Sequence, residues 1–288
     1  MASTITRRSF SLGLALAATT LAACGSKESS TDSGSTDVVK GETKDGDTVT
    51  IKVGASPVPH GDILSFVQNN LTKGSGISLD VVEFTDYMLP NTSLEDGSLA
   101  ANYFQTPDYL AQQVTDKGYK FVSIADVHVE PLGLYSNKYT SVDQIPEGGT
   151  IALNNDPANL ARGLKLLQQA KLIEVDPSVK LPTENDVTSN PKKLVFKPVE
   201  GAQVARALDD VDAGVVNGNY AIEAKKVPSK DALVLESGQN SPYANELVVR
   251  TDDKDNPALV KLAELLTSEQ TKKFIQDTWT DGSVIPAF

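Results

Sequence analysis

The chemistry open to this chain is concentrated in one stretch, Asn155-Asp156-Pro157-Ala158-Asn159-Leu160-Ala161-Arg162. An arginine guanidinium is a planar fork of N–H donors that matches a carboxylate. The unpaired N–H groups of a helix's first turn attract the same kind of ligand. Asp156 can cap a helix, and Pro157 fits its first position. The preceding Thr150-Ile151-Ala152-Leu153 reads as a buried strand. Leu160, Leu164 and Leu167 then mark the buried face of a helix, with Arg162 off that stripe. A strand end, a helix N-terminus and a guanidinium thus converge on one point, where a small carboxylate could be held. Taken alone, the stretch reads more readily as an ordinary strand–turn–helix with a solvated arginine.

The signatures of catalysis are missing. No Gly-x-Ser-x-Gly elbow, His-Glu-x-x-His, glycine-rich phosphate loop or Cys/His metal spacing occurs. His60 and His128 are the only histidines, and His60, alone in a turn, reads as structural. Asp252-Asp253-Lys254-Asp255-Asn256 lacks the glycine and distal glutamate of a calcium loop. Only a carboxylate pair of glycosidase type stays open. The expectation from these residues is therefore no catalytic residue, no cofactor and no metal.

The 288 residues carry a net charge of −12, with 40% hydrophobic and 22% charged residues. That acidity argues against nucleic acid as a partner and against electrostatic adsorption to an anionic membrane. Arg7 and Arg8, the short apolar run from Leu12 to Leu21, and Leu21-Ala22-Ala23-Cys24-Gly25 follow one another as in an exported lipoprotein. Residues 1–23 read as the signal peptide. Cys24, the sole cysteine, is the lipidation site, and the twin-arginine and general export routes both fit. Residues 24–47, almost free of apolar side chains, read as the lipidated cysteine and a flexible tether spanning about 25 Å.

The elements that must position the site lie in the remaining body. Thr48–Val53, a helix with Ile63, Phe66, Val67 and Leu71 on one face, and Ile77–Phe84 form a strand–helix–strand. That spacing implies a parallel crossover and an α/β sheet. Ala101–Gln105 runs as a strand into a helix capped at Thr106 and stopped by Gly118. Tyr87, Tyr103, Phe104 and Tyr109 gather around these turns, either as a core lid or as the wall of a pocket. Val211–Val216 is a further strand, with Asn217 at its end, and Asn245 precedes a returning strand, Glu246–Val249. Ligands of open α/β sheets sit beyond such strand ends. Asn256-Pro257 opens a late helix, Thr267 with Gln270 offers a capping box for the last one, and Trp279 ends it in the core.

Several motifs, in order along the whole body, resemble the methionine-binding lipoproteins of ABC importers, the MetQ/NlpA-type family of substrate-binding proteins. They are Val58–Leu64, Asp86-Tyr87 to Pro90-Asn91, Ala101–Gln105, Glu130–Ser136, Asn155–Arg162 and Ser241–Asn245. The resemblance implies an α/β, two-lobed periplasmic-binding-protein-like fold of type II, with the ligand in a cleft between lobes joined by two crossover strands. Residues 48–131 with 242–288 would form one lobe and 132–241 the other.

By the same resemblance, Arg162 pairs with the ligand α-carboxylate in a bidentate fork. Asn217 and Asn245 turn carbonyl oxygens to its ammonium. Tyr87, Phe104 and Tyr109 wall the side-chain pocket, with Thr106 and Asn155 beside it. Thr106 stands where the family commonly has histidine. Methionine is the expected cargo, with another apolar amino acid or a methionine-containing dipeptide as alternatives. The expected partners are an ABC permease and ATPase, and the membrane through the lipid on Cys24. The expected state is a monomer anchored at the extracytoplasmic face of a bacterial membrane. A surface lipoprotein that binds a macromolecule is the alternative of another class.

Overall fold

The chain builds two α/β sheets from strands whose sequences alternate or are apolar throughout. The computed structural model describes residues 38–288. The expected signal peptide, the lipidated Cys24 and the tether as far as residue 37 lie outside the described residues.

The first sheet opens with β1 (Glu42–Asp45) and β2 (Thr48–Ala55). It continues through α1 (Asp62–Asn70), β3 (Ile77–Glu83), α2 (Leu89–Glu95), β4 (Ala101–Gln105), α3 (Pro107–Lys117) and β5 (Phe121–Val129). The chain then crosses at 130–132 into a second sheet. That part carries β6 (Gly133–Tyr135), β7 (Thr150–Asn154), α4 (Pro157–Gln169), a small β8/β9 ribbon (Glu174–Val175, Val187–Ser189) and β10 (Val195–Val199). It ends with α5 (Gly201–Val204), β11 (Ala213–Val216), α6 (Gly218–Glu223), α7 (Pro228–Asp231) and β12 (Ala232–Leu235). A second crossing at 236–243 leads back to β13 (Ala244–Arg250), α8 (Pro257–Leu266), α9 (Glu269–Thr278) and β14 (Ile285–Pro286).

The first sheet runs β1-β2-β4-β13-β5-β14, with β3 on the other edge of β2. β2 is parallel to both β3 and β4, as the strand–helix–strand spacing predicts, while β13 is antiparallel to β4 and β5. The second sheet runs β10-β7-β11-β6-β12, parallel across its first three strands. Each sheet has its own core. Ile51, Val53, Tyr103, Leu247 and Leu262 pack under the first, and Leu134, Ile151, Leu153, Leu164 and Leu167 under the second. The carboxyl ends of β4, β7 and β11 open onto the space between the two.

Local chemistry sets the helix ends. Asp156 accepts from Asn159 N at 2.8 Å, and Asn256 from the N–H groups of Ala258 and Leu259. Gly118 stops α3 at φ 72, a conformation that glycine adopts without strain. Two expectations need correction here. The last helix is capped by Ser268, which accepts from Thr271 N, while Thr267 terminates the helix before it. The expected tether also extends too far, because β1 lies within it.

β1 is polar, so composition hides it. It is held by its backbone ladder to β2 across the tight turn at Gly46-Asp47. Arg250 adds a bond to Lys40 O at 2.6 Å. Among the described residues no helix is long and apolar enough to cross a membrane.

Candidate functional site

Between the sheets lies a narrow cavity of about 20 Å³. One side comes from the turn before α2 and from the β4–α3 junction, which present Tyr87, Phe104, Thr106 and Tyr109. The other comes from α4 and the N-terminus of α6, which bring Arg162, Asn159, Asn217 and Asn219. Glu130 from the first crossing and Asn245 from the start of β13 complete it.

Arg162 is not solvated; it is 6% exposed. Its Nε donates to Glu236 Oε1 at 3.2 Å, and its Nη2 to Glu236 Oε2 at 2.5 Å. Nη2 also donates to the Glu130 carbonyl at 3.1 Å. The Tyr243 ring lies 4.0 Å from the guanidinium carbon, a cation–π stack. The fork expected for a ligand carboxylate is therefore closed on Glu236. Glu236 stands 74 positions further along the chain, directly after β12. What remains for a ligand is Nη1, for which no protein partner occurs among the described residues.

Glu130 is the residue the sequence reading missed, although it opens one of the quoted motifs. It is 5% exposed, and burial raises its carboxyl above the usual carboxylate range, opposed by His60, Arg162 and the Asn219 N–H. Gly218 leaves room for it. A Cβ at that position would lie 2.5 Å from Glu130 Cβ and 2.8 Å from its Oε2.

Behind Glu130 sit both histidines. His128 Nε2 is 2.8 Å from Glu130 Oε1, and the Tyr103 hydroxyl bonds its Nδ1. His60 Nε2 is 2.9 Å from Asn245 Oδ1 and 3.4 Å from Glu130 Oε1. Both of these neighbours are acceptors, so Nε2 carries the proton. Burial lowers the two imidazoles, His60 to about 4 and His128 to about 3, so both are neutral at pH 7. His60, His128 and Glu130 are metal-ligand types with donor atoms within 4.8 Å. Yet the nitrogens that face Glu130 are occupied by hydrogen bonds, and the group works as a polar chain that fixes Glu130 and Asn245.

The carbonyl of Asn245 meets His60, and its amide nitrogen makes no hydrogen bond to the protein among the described residues, so the side chain has a donor and a second lone pair to offer a ligand. Asn217 donates from Nδ2 to Asn159 Oδ1 at 2.7 Å, and its Oδ1 faces Asn154 Nδ2 at 3.5 Å. Asn219, unforeseen, accepts from the Tyr87 hydroxyl at 2.6 Å and leaves a buried Nδ2 without a partner.

Tyr87, Phe104 and Tyr109 form a three-ring wall with centroids 5.9 to 6.0 Å apart. The Tyr109 hydroxyl is tied to Tyr87 O at 2.8 Å. Tyr103, from the same aromatic cluster in sequence, faces away into the first core. Thr106 occupies the N-cap of α3, but its side chain makes no capping bond, so it lines the cavity without that duty. Asn155 is not brought in. It is exposed and borders a neighbouring hollow beyond Tyr87 and Tyr109. Asn159, one helical turn on, takes the place expected for it.

The arrangement offers a cationic donor, a carboxylate, amides between them and an apolar aromatic wall. A zwitterion with an apolar side chain satisfies all four. The family model described as NlpA lipoprotein matches residues 51–288. This chain belongs to the NlpA lipoprotein family. Within it, the chain is 38% identical over 271 residues to the methionine-binding lipoprotein MetQ of Bacillus subtilis, covering 92% of this chain and 93% of that one. A nutrient binding protein from Burkholderia cenocepacia, solved bound to methionine, is 40% identical with a TM-score of 0.79, over 83% of this chain and 100% of that one. An ABC transporter periplasmic substrate-binding protein from Coxiella burnetii is likewise 40% identical, with a TM-score of 0.78, over 82% of this chain and 100% of that one. The NlpA-family chain thus has the two-lobed, binding-protein-like fold, with its polar cleft at the crossings.

Proposed function

We propose that this chain is a lipid-anchored solute-binding protein that captures free methionine in the interlobe cleft and hands it to an ABC permease and ATPase. The observation that carries this reading is the pairing of two buried, opposite charges, Arg162 and Glu130, on one cavity with a three-ring wall. Arg162 Nη1 and the Asn245 amide donate to the α-carboxylate, and Glu130 accepts from the ammonium. Asn217 holds Asn159 in place, and Tyr87, Phe104 and Tyr109 receive the thioether, which gains from sulfur–ring contact. We assign residues 38–131 with 242–288 to one lobe and 132–241 to the other. Cys24 carries the lipid, the protein is a monomer at the extracytoplasmic face of the membrane, and no turnover accompanies binding. The methionine-bound relative and the importer component among the similar structures support this reading.

Thermal-shift titration of unfolded and refolded protein against each amino acid and several methionine dipeptides tests it. Methionine at ~1,000 times its dissociation constant should stabilise the protein by about 4 kcal/mol. No shift with any of these ligands removes the reading. Thr106, free of its capping bond, keeps a second cargo in view. A larger shift with another apolar amino acid or a dipeptide retains the family role and changes the ligand.

A further inference from the structure

The Arg162–Glu236 pair raises a question that the proposed function leaves open: why an arginine that lines the cleft should already hold a carboxylate of its own chain. Its donor inventory is decisive. A guanidinium has five N–H donors. Nε uses its hydrogen on Glu236 Oε1, and Nη2 divides its two between Glu236 Oε2 and the Glu130 carbonyl. The two hydrogens on Nη1 are left. The Tyr243 ring stacked at 4.0 Å closes one face of the plane.

Glu236 is itself anchored. Its Oε2 accepts from Leu132 N at 3.1 Å, and its own N–H donates to Leu132 O at 2.9 Å. Leu132 belongs to the first chain crossing, and Glu236 and Tyr243 to the second. One carboxylate therefore ties the guanidinium from α4 to both crossings at once.

We infer that Glu236 is a positioning residue for ligand recognition: it locks the Arg162 guanidinium so that Nη1 alone is presented to the carboxylate of the bound amino acid. The inference rests on the proposed amino-acid binding. An arginine side chain carries considerable rotamer entropy, and fixing it in advance removes that loss from the binding step. The lock also specifies geometry. The ligand carboxylate meets one nitrogen of Arg162 together with neighbouring amides, in place of the Nε–Nη2 fork.

The test uses the full chain purified in detergent. Calorimetry measures the affinity of wild type, Glu236→Gln, Glu236→Asp, Arg162→Ala and the Arg162→Ala/Glu236→Gln double variant. Two probes are used: methionine, and methioninol, which keeps the ammonium and thioether but lacks the carboxylate. Glu236→Gln puts an amide donor against the guanidinium. Glu236→Asp keeps the charge but is one methylene too short to span both nitrogens and Leu132.

The expected result is a loss for methionine of about 10- to 100-fold in both variants, by analogy with the loss when partners that orient metal ligands are removed. For methioninol the loss should stay under about threefold, and Glu236→Gln should cause no further loss once Arg162 is alanine. Equal losses for both probes would mark Glu236 as a general structural residue and overturn the inference, as would unchanged methionine affinity. A ligand-free melting midpoint lowered without the probe-specific loss has the same meaning. If wild type itself binds no amino acid, the proposed function fails first. If wild type binds and the variants match it, only the role of Glu236 fails.

Discussion

Replacing Glu130 with glutamine should move ligand affinity and ligand-free stability in opposite directions. Glutamine keeps the shape and still offers an oxygen to His128 Nε2, which now lies 2.8 Å from Glu130 Oε1. What is lost is the charge. Removing one partner of a buried charge pair costs roughly 3–5 kcal/mol. At about 1.4 kcal/mol per decade, methionine affinity should fall ~10²- to 10⁴-fold. In a thermal-shift assay at ~1,000 times the wild-type dissociation constant, ligand stabilises wild type by about 4 kcal/mol. After a thousandfold loss, the same concentration gives only ~0.4 kcal/mol. For a chain of this size, a midpoint shift of roughly 8–16 °C should collapse to about 1 °C.

The ligand-free protein should respond the other way. Burial raises the Glu130 carboxyl, so the native state binds its proton more tightly than the unfolded chain does. Stability linked to this group is therefore present at low pH and lost as pH rises through the folded value. Glutamine has no such loss. The ligand-free variant should melt at or above wild type at pH 7–8, with the gap closing towards the ordinary carboxylate range. Methionine affinity kept within about threefold, or a variant that melts lower at every pH, would refute the assignment of Glu130 as the ammonium acceptor.

Three further outcomes follow from the same structure. Glu246, buried and in register with Asp126 on the neighbouring strand, has its carboxyl pushed up to about 7 by burial, with Asp126 adding to the rise. Its stability contribution is fully present below the ordinary value of 4.5 and is lost as pH rises to about 7, so Glu246→Gln should raise the ligand-free midpoint at pH 8 and change it little at pH 4 in parallel melts. Gly218→Ala sets a methyl against the Glu130 side chain. It should destabilise the fold by ~1–3 kcal/mol and weaken amino-acid binding, read by denaturant unfolding and calorimetry. Thr106→His should reorder the affinities of apolar amino acids in competition titrations while their carboxylate-free analogues stay equally poor. An unchanged ranking would confine position 106 to the helix terminus.

Much of this fold was legible because its signals are local. The β2–α1–β3 crossover follows from hydrophobic spacing and short connections. α4 and α8 follow from an acid or amide cap with proline at the first position. The aromatic wall and Arg162 were found through motifs, which mark positions but not partners. The partners were illegible because they lie far apart in sequence: Glu236 is 74 residues from Arg162, and His60 is 185 from Asn245. A polar strand such as β1 escapes for another reason, since its pairing is by backbone alone. Asn155 is exposed just before α4, where the side chain of Asn159, one helical turn on, is the one that lines the cavity.

These long-range partners also bear on how ligand can close the cleft. Among the described residues, Arg162 Nη1 and the buried Asn219 Nδ2 have no protein partner, and burial disfavours the Glu130 carboxylate. Unpaired polar groups out of water are costly, so bringing the lobes together over an empty cleft is opposed. A zwitterion supplies the missing acceptor for the donors and the missing cation for Glu130. In the proposed function its contacts come from residues of both sheets, Phe104 and Asn245 on one and Arg162 and Asn217 on the other, so they are complete with the lobes together. That difference in affinity between the open and closed forms is the sole means by which a ligand shifts such an equilibrium. A well-satisfied empty cleft would close unprompted and carry no information about whether cargo is present.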